Sequence, residues 1–76
     1  MSQATITIEI IRDVAKKTGE PEERVVEVAE KYGDAIVRIA KIRVGCAWAV
    51  FRCLTCIGPV RKIFWCLVSA LCAVKE

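Results

Sequence analysis

Residues 46–66 read CAWAVFRCLTCIGPVRKIFWC, and what this stretch packs against decides the fold. Gly58-Pro59 is its sharp break: glycine ends helices readily in a left-handed conformation, and proline, lacking an N–H, is suited to begin the next one. From Asp34 to Ile57 no breaker stands except Gly45, so the pattern predicts one helix over about 34–57, roughly 36 Å long at ~1.5 Å per residue. Residues 60–75 read as a second helix, and so short a turn makes the two an antiparallel hairpin.

Both helices are apolar around most of their circumference. On the first, Ala35, Ile39, Ile42, Cys46, Ala49, Cys53 and Cys56 recur at alternating spacings of four and three. That seam is made largely of small residues, which lets another helix come close. Phe64, Leu67 and Leu71 form the matching stripe on the second helix. One hairpin contact covers one side of each helix, and a helix hydrophobic nearly all round is a buried helix. These ten residues are the expected subunit-packing set, and overfilling the seam by Ala49→Leu is expected to block assembly.

The whole chain repeats the imbalance. It has 76 residues, at most one domain, yet 55% of them are apolar and the mean hydropathy is +0.43. A chain of this size buries only a modest share of its unfolded surface, so the apolar surplus points to a protein or lipid partner. Asn and His are absent, with one Gln and one Met among abundant Glu, Lys, Arg, Ile and Val. This profile fits a hyperthermophile, where intracellular disulfides are also tolerated, or a designed chain. The opening residues, MSQATITIEI, do not read as a signal peptide.

The first third is different in kind. Residues 5–10 alternate like a strand, but a lone strand has nothing to pair with, so a helix from about Thr7 to Gly19 is preferred, with Thr7 as its N-cap. Glu20 and Pro21 open a second helix with acids in its first turn, where the helix dipole favours them. Its Val25, Val28, Ala29 and Tyr32 share a face. Residues 1–34 carry eight acids against five bases, whereas residues 35–76 carry seven bases against Glu76 alone. The expected architecture is all-α: short acidic N-terminal helices over 1–33, followed by the hydrophobic hairpin over 34–76.

A membrane hairpin needs about 20 apolar residues per span; Arg52 interrupts the first segment and Ile63 to Val74 is too short. Cys53 and Cys56 make a lone CxxC without histidines, which leaves packing as the preferred role for the thiols, ahead of a disulfide or a metal. Five cysteines leave one unpaired within the chain if the others bridge. No nucleophile with a base, acid pair, glycine-rich phosphate loop or metal cluster appears, so no cofactor, metal or catalytic residue is expected. Arg38, Lys41 and Arg52 lie on one basic stripe of the predicted long helix, joined near the turn by Arg61 and Lys62. Aligned among many copies, such stripes suit a nucleic-acid backbone bound by charge without sequence preference.

Three resemblances follow from these residues. Asp13, Val14, Ala15, Gly19, Val25 and Val28 lie as in the helix-turn-helix of the lac-repressor family. That resemblance implies DNA reading, but Glu22, Glu23 and Glu27 on the second helix would repel phosphates. The whole chain, with its acidic start, apolar middle and bases on a helix and turn, resembles the coat proteins of filamentous and rod-shaped DNA viruses, including archaeal ones. This implies a self-assembling subunit of a virion or extracellular filament, with many copies of itself and nucleic acid as partners. Two apolar helices joined by a basic turn are also similar to conjugative pilins, which would imply a lipid partner.

Overall fold

The computed structural model describes residues 6–75, and residues 1–5 and 76 lie outside it. Four helices follow one another: α1 (Ile8–Thr18), α2 (Glu22–Ala40), α3 (Arg43–Thr55) and α4 (Pro59–Lys75). No strand occurs among the described residues, and Ile8 to Ile10 of the alternating segment are helical. The fold is all-α, as the periodicities predict.

The ends of α1 form where local chemistry places them. The Thr7 side chain accepts from the Ile10 N–H at 3.4 Å, and Gly19 closes the helix at φ 74°, its N–H donating to the Ala15 carbonyl. Positive φ costs glycine little. At the corner, the Thr18 hydroxyl donates to the Val14 carbonyl (2.8 Å) and accepts from the Glu20 N–H (3.3 Å). Pro21 stands just outside α2, at its N-cap.

One expected boundary is corrected. There is no continuous helix over 34–57: Asp34 to Ala40 complete α2, and the chain then turns through Lys41 and Ile42 before α3. Ile42 is extended at φ −102° and ψ 128°, and its carbonyl accepts from the Cys46 N–H. The cause is a close approach. A Cβ on Gly45 would lie 2.6 Å from the Ile39 carbonyl oxygen and 2.9 Å from Ile39 Cγ2. Gly45 therefore lets the first turn of α3 fold back against the end of α2. The chain also passes through Gly33 without ending a helix; the distortion falls at Tyr32 (φ −115°, ψ 19°), whose ring meets Phe64 edge-on at 5.9 Å.

The core is built around α4, which touches all three other helices, while α1 and α3 do not touch. Ile63, Leu67, Val68 and Leu71 of α4 are fully buried against Val14, Val25 and Ile36. Each such aliphatic side chain contributes on the order of 1.5–3 kcal/mol. Two disulfides join α3 to α4: Cys46–Cys72 and Cys53–Cys66, with Cα atoms 5.9 and 4.7 Å apart. The preferred packing role given to the CxxC thiols is thereby corrected at Cys53, which is covalently paired, while Cys56 is the free thiol. Both sulfurs of Cys46–Cys72 rest on the Ala40 carbonyl at 3.4 and 3.7 Å, a contact without a hydrogen that ties the bridge to the end of α2.

Two outcomes test this account. Gly45→Ala should destabilise the chain by about 1–3 kcal/mol through overpacking against Ile39, measured by denaturant unfolding of the oxidised protein. Replacing Cys53 and Cys66 together by alanine should lower stability by roughly 3 kcal/mol, the loop-closure value for a bridge of this span; an unchanged midpoint would show that the bridge adds nothing to packing.

Candidate functional site: the outward face of α3

Small residues turn α3 towards α4. Ala49 is fully buried and Cys53 nearly so, and Cys46 is half-buried in its disulfide. The opposite face has no covering element. Val44 (76% exposed), Phe51 (56%) and Leu54 (76%) stand outwards with Trp48 and Ala47, and Ile57, just beyond the helix, is 92% exposed. Their spacing places them on one stripe. Soluble monomers rarely expose a contiguous apolar face of this kind.

The expected packing residues divide between interior and surface. Ala49, Cys53, Leu67 and Leu71 lie inside the protomer, where they join its own helices. Ile39, Phe64 and Cys56 are half-buried, and Ala35 and Ile42 are exposed. The small-residue seam thus serves α4 of the same chain, and Ala49→Leu becomes a folding defect. The apolar surface left exposed is instead the Val44, Trp48, Phe51 and Leu54 stripe, none of which is among the ten expected packing residues.

The basic residues are redistributed by the break at Lys41–Ile42. Arg38 and Lys41 sit at the end of α2, and Arg61 and Lys62 in the first turns of α4, so they occupy opposite ends of α3 rather than one line. Arg38, Lys41, Arg43 and Arg61 are exposed, and Lys62 is half-buried. Arg52 lies over the Trp48 ring at 4.9 Å. Its Nε is shielded from water and has no hydrogen-bond partner among the described residues. Such stacking contributes about 0.5–1 kcal/mol at a surface and holds the guanidinium beside the apolar face.

Potential concentrates at the same ends. Neither α3 nor α4 has an acid in its first turn, α3 has no side-chain cap, and α3 begins with Arg43 itself. Cations at the positive end of a helix dipole are unfavourable until an anion arrives. Helices α1 and α2 have the reverse arrangement, with Glu9, Glu22 and Glu23 in their first turns. Ion pairing among the described residues is limited to Lys17–Asp13 and Arg24–Glu20, both at 3.4 Å. None of the expected nucleic-acid residues has a carboxylate partner there.

No grouping of His, Cys, Asp and Glu suited to a metal occurs among the described residues. No described helix is long and apolar enough to cross a membrane. The chain matches no protein family, no curated protein and no solved structure.

The outward face should report itself in solution. Val44→Glu with Leu54→Glu is expected to reduce binding of an apolar fluorescent dye several-fold, while the unfolding free energy stays within about 0.5 kcal/mol, as for surface positions. Undiminished dye binding would place the accessible apolar surface elsewhere.

Proposed function

We propose that this chain is a non-catalytic structural subunit that assembles with copies of itself and lies against a polyanion backbone, as in the coat of a helical virion or an extracellular filament. The observation that carries the reading is the bare α3 face. The protomer closes its own core and locks it with two disulfides, yet leaves Val44, Phe51, Leu54 and Ile57 in water. Burying such a face stabilises an assembly by roughly 25 cal/mol per Å² of apolar surface. The cations at both ends of α3 supply what a phosphate backbone needs and fix no sequence preference.

A second reading is favoured by one placement: Arg43 and Arg52 flank a Trp, Phe and Leu face on a single helix. An amphipathic helix of that composition also lies in the interface of an anionic membrane. Imaging of the oxidised chain with duplex DNA, and separately with anionic vesicles, separates the two. Filaments with excess absorbance at 260 nm support the coat; vesicle binding by a monomer supports the membrane surface. A chain that stays monomeric at its solubility limit, with and without DNA, would refute assembly.

Charge contact makes a quantitative expectation. Single replacement of Arg38, Lys41, Arg52, Arg61 or Lys62 by Gln should reduce the slope of log affinity against log salt by about 0.9 for each residue that meets a B-DNA phosphate. Titrations at several salt concentrations measure this, and slopes unchanged for all five would remove DNA as the polyanion.

A further inference from the structure

Helices α1 and α2 leave a groove of about 350 Å³ between them, lined by no residue of α3. Ile6 and Ile11 line it from the α1 side, Val26 and Val37 from α2, and Glu30 and Asp34 stand in its wall. Both acids are exposed, and neither has a basic partner among the described residues. The groove is thus apolar with acidic edges. The α3 stripe is its counterpart, an apolar ridge with unpaired cations beside it.

We propose that the α3 ridge of one copy seats in the α1–α2 groove of the next, with Arg43 or Arg52 meeting Glu30 and Asp34. This rests on the self-assembly reading and specifies its contact. The occupant follows from complementarity, because the same chain carries a surplus of acids before residue 35 and a surplus of bases after it. A contact between different patches is heterologous, and since ridge and groove are lined by different residues, each bound copy leaves one of each free. Repetition then builds a ring or an open filament rather than a closed two-fold dimer. The paired charges fix register, and the contact weakens as salt screens them.

Complementary half-blocked chains test it. One variant, Val44→Glu with Leu54→Glu, spoils the ridge and keeps the groove; the other, Glu30→Arg with Asp34→Arg, spoils the groove and keeps the ridge. All four positions are exposed, and circular dichroism verifies that each oxidised full-length variant is folded. Sedimentation velocity should show wild type growing with concentration, each variant alone monomeric, and an equimolar mixture stopping at a one-to-one dimer. The milder Glu30→Gln with Asp34→Asn should raise the concentration for half-assembly by about tenfold and flatten its salt dependence. A mixture that stays monomeric, or a variant that assembles alone like wild type, overturns the ridge-in-groove contact while leaving self-assembly intact. A wild-type chain that never associates overturns both.

Discussion

The close approach of α3 to α4 is the constraint from which the rest of the arrangement follows. With Cα atoms 4.7 Å apart at Cys53–Cys66, only small side chains fit between the helices, and Ala49, Cys53, Cys66 and Ala70 fill that space. The large aliphatic residues of α4, Ile63, Leu67, Val68 and Leu71, are buried in the same cluster as Val14, Val25 and Ile36 of α1 and α2. Helix α3, narrow on its inner side, keeps its large residues for the outside. The bare face is thus a geometric result of the tight seam.

Charge follows the same division. Acids stand in the first turns of α1 and α2, where they complement helix dipoles, and cations stand in the first turns of α3 and α4, where they oppose them. A chain folding for itself alone would gain from the opposite placement. Negative groups from outside, whether phosphates or carboxylates of a neighbour, would relieve this arrangement, which is what the proposed assembly supplies.

Much of the fold was legible in the sequence because punctuation residues marked it: Thr7 and Gly19 bound α1, Pro21 precedes α2, and Gly58-Pro59 separates α3 from α4. The break at Lys41–Ile42 was not, since isoleucine carries no turn signal and Gly45, the residue that makes room for it, sits inside the following helix. Its role depends on where the Ile39 carbonyl lies, a tertiary fact. The disulfides left a trace that was missed. Cys53 and Cys66, and Cys46 and Cys72, stand almost equally far before and after Pro59, so any antiparallel hairpin turning there brings each pair together. That same pairing places the seam inside the protomer and leaves the Trp48 and Phe51 side exposed.

Both bridges lie within residues 46–72, while α1 and the first part of α2 are held by packing alone. Protection against hydrogen exchange should therefore be layered, with α1 opening at lower free energy than the stapled hairpin. When α1 and the start of α2 leave, they uncover Leu67, Val68 and Leu71 on one side of a hairpin whose other side is already apolar and bare. The partly opened chain is thus stickier than the native one, and oxidation lengthens its life by keeping the hairpin closed. Oxidising conditions that protect the fold would thus also keep that apolar hairpin intact once α1 has opened.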